Sequence, residues 1–148
     1  MLARSIFNVN ARNYSIYTIP AAYLLTTFVS TRGALMILGQ GHNVYPRDDL
    51  SKANLPTTDL ARLKRQEAAH KNGLENFPLF AAAMIIGNEA GLENGTMNFV
   101  GVGYLVSRAV YSWLYVNITT EKKSWARYVT PSVCVRVLLV GIGAVLKV

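Results

Sequence analysis

Arg65-Gln66-Glu67-Ala68-Ala69-His70-Lys71-Asn72-Gly73-Leu74-Glu75-Asn76-Phe77-Pro78-Leu79-Phe80 is the stretch whose reading decides the fold. Its first half is charged, and its second half runs straight into Ala81-Ala82-Ala83-Met84-Ile85-Ile86. As a helix at about 100° per residue, it places Arg65, Asn72 and Glu75 within one face roughly 80° wide. Asn72 and Glu75 are one turn apart and therefore neighbours. An amide and a carboxylate thus point together where polar solvent gives way to an apolar medium. A charge at that depth is costly unless it is paired or has a task. Pro78 frees the carbonyl of Leu74, beside Glu75, which predicts a kink there.

The apolar part of this helix, Phe77 to Gly87, is only about 11 residues and would not cross a bilayer alone. It crosses if the polar face from Arg65 to Glu75 is buried against other helices. Three further apolar runs supply such partners. Ile16 to Leu38 exceeds the roughly 20 residues that a span requires and holds Arg32 as its only charge. Phe99 to Val116 holds Arg108 near its middle, and Val129 to Val148 is interrupted by Arg136. The fold expected is all-α: one domain over residues 1–148, an integral-membrane four-helix bundle with spans at about 16–38, 62–88, 98–116 and 126–147.

The connections agree. Gly39 to Asp59 holds Gly41, Asn43, Pro46 and Pro56 and reads as a loop, with Thr57, Thr58 or Asp59 available to cap the helix that follows. Asn88 to Asn98 reads as a short turn with Glu89 and Glu93. Met1 to Tyr14 carries Arg4 and Arg12 and no acid, which resembles a mitochondrial presequence; its asparagines give a poor amphipathic face, and it reads as a basic cap on the first span. Tyr17, Tyr23, Trp125 and Tyr128 suit the headgroup level.

Composition sets bounds. A mean hydropathy of +0.23 fits a helical bundle averaged with polar loops, and the net charge of +7 suits an anionic surface or ligand. Nucleic acid is excluded, because the cations are divided among spans and loops with no basic stripe. The single cysteine, Cys134, lies in an apolar run and reads as inert core; no internal disulfide and no metal site is expected. The loop cations Arg47, Lys52, Arg62, Lys64, Arg65, Lys122, Lys123 and Arg127 fall on one side, which the positive-inside rule makes cytosolic.

The charges at membrane depth do not balance. Arg32, Arg65, Arg108 and Arg136, with Arg127 at the edge, stand against Glu75 as the one clearly embedded acid. Arg108, about nine residues from either end of its span, cannot snorkel out. On a helix Tyr104, Arg108, Tyr111 and Tyr115 line up within roughly 60°. Guanidinium groups take carboxylates in bidentate fashion, so the set calls for an anionic ligand. Read alone, Tyr104 fits aromatic packing. His70 lies more than about 90° off the Asn72–Glu75 face, which suggests a surface or inter-subunit role.

The order Arg-x-x-Ala-Ala-His-x-Asn-x-x-Glu-Asn-Phe-Pro-x-Phe resembles the signature of the membrane-associated proteins in eicosanoid and glutathione metabolism, in their microsomal glutathione transferase-like form and closest to the fungal and bacterial branches. Asn13-Tyr14-Ser15-Ile16-Tyr17, Ile19-Pro20-Ala21-Ala22, Pro46-Arg47 and Ser107-Arg108-Ala109-Val110-Tyr111 follow that family in order, across nearly the whole chain. The resemblance implies a four-helix membrane protein that forms homotrimers and binds glutathione between subunits near the cytosolic face. It implies a cosubstrate role for glutathione, conjugation of a lipophilic electrophile or reduction of a lipid hydroperoxide, and residence in the endoplasmic reticulum, with the mitochondrial outer membrane as the alternative. Asn72, Glu75, Arg108, Tyr111 and Tyr115 match its ligand positions, and Arg32 resembles an arginine that ends the first helix. Ala68 stands where the eicosanoid enzymes place a glutathione-binding arginine, so Arg65 or Lys71 would substitute. The thiolate-stabilising position after the third helix falls on Lys122, with Arg127 as the alternative, and Tyr115 completes the expected catalytic set. The rival readings are a non-catalytic membrane scaffold of the same fold and an anion transporter.

Overall fold

The computed structural model describes residues 12–39 and 54–118. A 3-10 turn at Ser15–Tyr17 leads into α1 (Thr18–Phe28), followed by α2 (Arg32–Ile37), α3 (Thr57–Glu89) and α4 (Asn94–Asn117). Among the described residues every regular element is helical, as expected. The fourth expected span, at about 126–147, lies outside the described residues, as does most of the first loop.

The first apolar run is not one helix. It is broken at Val29–Thr31 into pieces of 11 and 6 residues. Hydropathy alone predicts continuity; the partners of the break are polar groups on α3, described below. The 33-residue α3 is long but half polar, and Pro78 sits inside it without ending it. Among the described residues no helix is long and apolar enough to cross a membrane.

The helix ends also differ from the sequence reading. α3 starts at Thr57, after Pro56 with φ −52° and ψ 143°, and no side chain caps it. Leu60 N–H donates to the Pro56 carbonyl at 3.0 Å, which makes the proline the entry residue. Asp59 then serves in the first turn, where a carboxylate meets the positive end of the helix dipole. The α3–α4 turn is shorter than Asn88 to Asn98. Gly91, at φ +70°, ends α3 in the left-handed region, and Leu92 N–H returns to the Gly87 carbonyl at 3.1 Å. α4 begins several residues before its apolar run because Met97 and Asn98 are themselves buried.

The core lies where α1 crosses α3 and α4. Ala22, Phe80, Met84, Met97 and Tyr104 form it, and the Phe80 and Tyr104 rings stack at 3.7 Å and 7°. Two glycines permit the close crossings. A Cβ on Gly73 would lie 2.7 Å from Thr26 Cγ2, and one on Gly101 would lie 2.7 Å from Thr18 Cγ2. A Cβ on Gly103, two residues further along α4, would meet nothing within 4 Å.

Polar groups tie the start of the chain to the α3–α4 end. Asn98 Oδ1 accepts from Tyr14 N–H and Asn98 Nδ2 donates to the Arg12 carbonyl, both at 2.8 Å. Asn88 Nδ2 donates to Ser15 Oγ at 3.0 Å, and Asn13 Nδ2 donates to Asn88 Oδ1. The outward faces are apolar: Leu24 and Phe28 on α1, and Phe99, Val102, Val106, Val110 and Trp113 on α4, are all exposed. Stripes of this kind mark contact with lipid or with other protein.

Candidate functional site

The spacing of α4 turns Tyr104, Arg108 and Tyr111 inward together, with exposures of 3, 4 and 5%. Tyr104 is used in the core stack, as expected. Arg108 is aimed at α3, where its Nη2 donates to Asn72 Oδ1 at 2.8 Å. Its Cζ lies 4.5 Å from the centroid of the Tyr111 ring, a distance at which the ring face attracts the cation. Tyr115 extends the row one turn further, with its ring 5.6 Å from that of Tyr111 and tilted by 43°. Asn72 is held from behind, its own carbonyl accepting from Asn76 Nδ2 at 2.8 Å.

The electrostatics follow from these contacts. Arg108 has five N–H donors and spends one on a neutral amide. Among the described residues it has no carboxylate partner. Glu75, one turn beyond Asn72, is exposed and has no hydrogen bond or ion pair among the described residues. A cation and a carboxylate from the expected ligand set therefore coexist without neutralising one another. A buried unpaired guanidinium costs several kcal/mol unless an anion meets it. The arrangement suits a zwitterionic ligand with carboxylates for the arginine and an ammonium group for Glu75.

The remaining expected residues are placed differently. Arg65 Nε donates to the Val116 carbonyl at 3.0 Å, so Arg65 secures the last turn of α4. Arg32 is exposed as the first residue of α2. Ala68 is half-buried and brings no polar group to the site. Lys122 and Arg127 lie outside the described residues. His70 Nδ1 lies 2.8 Å from the Thr26 carbonyl of α1, a part-buried contact within the chain that the reading of a surface or inter-subunit role did not include.

His70 belongs to a row that the sequence did not flag. Gln66 Nε2 donates to the Ser30 carbonyl at 3.5 Å, and Glu67 Oε2 accepts from Thr31 Oγ1 at 2.7 Å. Gln66, Glu67 and His70 span about 100° of α3, opposite the face of Asn72. Two polar faces on one helix, together with Ser30-Thr31 inside an apolar run, were the available signal.

The model of the MAPEG family matches the chain over residues 16–146. No curated protein and no solved structure matches it.

Proposed function

The chain belongs to the MAPEG family, and on that premise we propose that it is a membrane-bound glutathione transferase acting on lipophilic electrophiles, with reduction of lipid hydroperoxides as a second activity of the same site. Membership makes it a membrane-associated protein related to glutathione and eicosanoid metabolism. The observation that carries the finer reading is Arg108, 4% exposed and held by an amide and a ring face with no carboxylate against it among the described residues.

In this reading Arg108 takes a glutathione carboxylate, Glu75 the ammonium group, and Asn72 orients Arg108 while offering its own amide. Tyr111 and Tyr115 flank the peptide, with Arg65 and Arg32 as further carboxylate contacts. Lys122, or Arg127 in its place, stabilises the thiolate, with Tyr115 as hydroxyl donor to sulfur. A cation or donor near the thiol lowers its pKa and raises the fraction of nucleophile. The thiolate attacks an electrophilic carbon, the C–S bond forms, and a leaving group such as halide departs with its electron pair. In the peroxidase direction two glutathione molecules become one disulfide while the hydroperoxide becomes alcohol and water. The protein works as a homotrimer in the endoplasmic reticulum or the mitochondrial outer membrane.

The test is direct. Detergent-purified protein mixed with glutathione should develop thiolate ultraviolet absorbance and form the thioether of a chloronitrobenzene. The absence of both signals overturns the enzyme reading. Ala68 and Lys122, the two departures from the family pattern, favour one alternative, a non-catalytic membrane scaffold. That reading requires glutathione binding to be absent, or unchanged in Glu75→Gln and Arg108→Ala.

A further inference from the structure

The break between α1 and α2 has no proline to cause it. An apolar run of this length would continue as one helix, because a broken helix exposes backbone carbonyls that then need partners. Here α3 supplies them. His70 Nδ1 meets the Thr26 carbonyl at 2.8 Å, and Gln66 Nε2 meets the Ser30 carbonyl at 3.5 Å. Glu67 Oε2 takes the hydroxyl of Thr31 at 2.7 Å, and Thr31 is 4% exposed. The other Glu67 oxygen lies 3.9 Å from Lys71 Nζ, and its side chain is 28% exposed. The two helices pack tightly at this level, where Gly73 leaves no room for a Cβ against Thr26.

The bend therefore depends on α3, and the residue that follows Thr31 is Arg32, the first of α2. We propose that Glu67 is a positioning residue: by holding the buried Thr31 hydroxyl it fixes the bend between α1 and α2, and with it the direction in which Arg32 is presented to glutathione. The inference rests on the glutathione reading above. Glu67 lies on the face of α3 turned away from Asn72 and Arg108, so it acts only through the bend. Gln66 and His70 support the same bend through the carbonyls of Ser30 and Thr26. Glu67 differs from them in gripping the residue next to Arg32.

The experiment is a double-mutant cycle on glutathione kinetics. Glu67→Ala and Thr31→Val should each raise the KM for glutathione about 5- to 10-fold with kcat changed less than about twofold. Glu67→Gln and Thr31→Ser, which keep an acceptor and a hydroxyl, should restore KM to within about twofold. In an Arg32→Ala background the same substitutions should have little further effect. Equal effects in both backgrounds would overturn the inference, because a general loss of packing does not need Arg32.

A second measurement covers variants too unstable for kinetics. Nitroxide labels at Leu24 and Ile37, 67% and 88% exposed, in a Cys134→Ser background report the bend as a distance. That distance should shift or broaden in Thr31→Val and stay narrow in Thr31→Ser; an unchanged distribution overturns the proposal. A wild type that neither binds nor uses glutathione overturns the functional reading and this inference with it. A wild type that does, with Glu67→Ala unaltered, overturns this inference alone.

Discussion

Asn72 Oδ1 accepts a hydrogen bond from Arg108 Nη2 at 2.8 Å, so a guanidinium that is 4% exposed is held by a neutral amide. The choice of amide has a consequence. It fixes the geometry of the arginine and leaves the charge available to an anion. A carboxylate at the same place would fix the geometry and cancel the charge. In the proposed function that uncancelled charge is what an acidic peptide would meet.

Asn72→Asp separates these two effects. The new carboxylate would pair with Arg108, and protein stability should hold or rise in thermal unfolding. Glutathione affinity should fall tenfold or more, about 1.4 kcal/mol. Asn72→Ala should instead lower stability by about 1–3 kcal/mol, because it leaves Arg108 donors without their acceptor. Calorimetric titration and melting curves on both variants check the pair. A tight-binding Asn72→Asp would show that Arg108 does not meet the ligand's charge.

Gly73 tests the crossing of α1 and α3. Gly73→Ala places a methyl 2.7 Å from Thr26 Cγ2, and overpacking of this kind costs about 1–3 kcal/mol. Adding Thr26→Ala should recover much of the loss. Gly103→Ala meets nothing within 4 Å and should stabilise α4 by about 0.5–1 kcal/mol through the helix preference of alanine over glycine. Denaturant titration of the three variants provides the check.

Asn98 tests the polar tie at the start of the chain. It is 6% exposed and serves Tyr14 N–H and the Arg12 carbonyl at once. Asn98→Leu leaves both partners of these part-buried bonds without Asn98 and should cost about 1–2 kcal/mol. Asn98→Asp keeps the acceptor for Tyr14 but loses the donor to Arg12, so it should be the milder change. Hydrogen exchange at the Tyr14 amide should accelerate strongly in Asn98→Leu and little in Asn98→Asp.

These tests also mark what the sequence could show. The all-helical class and the inward row Tyr104–Arg108–Tyr111 were legible because helical periodicity and an arginine within an apolar run both survive in one dimension; that Arg108 would be held by Asn72 was not, because it joins two helices. The break at Val29–Thr31 was not, because its cause lies on α3, in Gln66, Glu67 and His70. The start of α4 at Asn94 was missed for a related reason: Asn98 is polar yet buried, and hydropathy takes it for the end of a turn. Arg65 read as a ligand because its face is right; that its Nε would be drawn to the Val116 carbonyl depends on how two helices are juxtaposed, which periodicity does not encode.

Tyr111 and Tyr115 distinguish a ring from a hydroxyl. Arg108 lies over the Tyr111 ring at 4.5 Å, and Tyr111 is 5% exposed. The contact uses the aromatic face, worth about 0.5–2 kcal/mol, and phenylalanine retains that face. Tyr111→Phe should therefore hold Arg108 in place and lose under about 1 kcal/mol of stability, whereas Tyr111→Leu removes the face and should lose about 1–3 kcal/mol together with glutathione affinity. Tyr115 is only half-buried, so its ring contributes less to packing. If its hydroxyl donates to the sulfur, Tyr115→Phe should lower kcat about 10- to 100-fold with KM nearly unchanged, and thiolate absorbance at fixed pH should fall in parallel. An intact thiolate signal in Tyr115→Phe would assign that stabilisation to the cations beyond α4, and Lys122→Ala and Arg127→Ala would then show which of the two carries it.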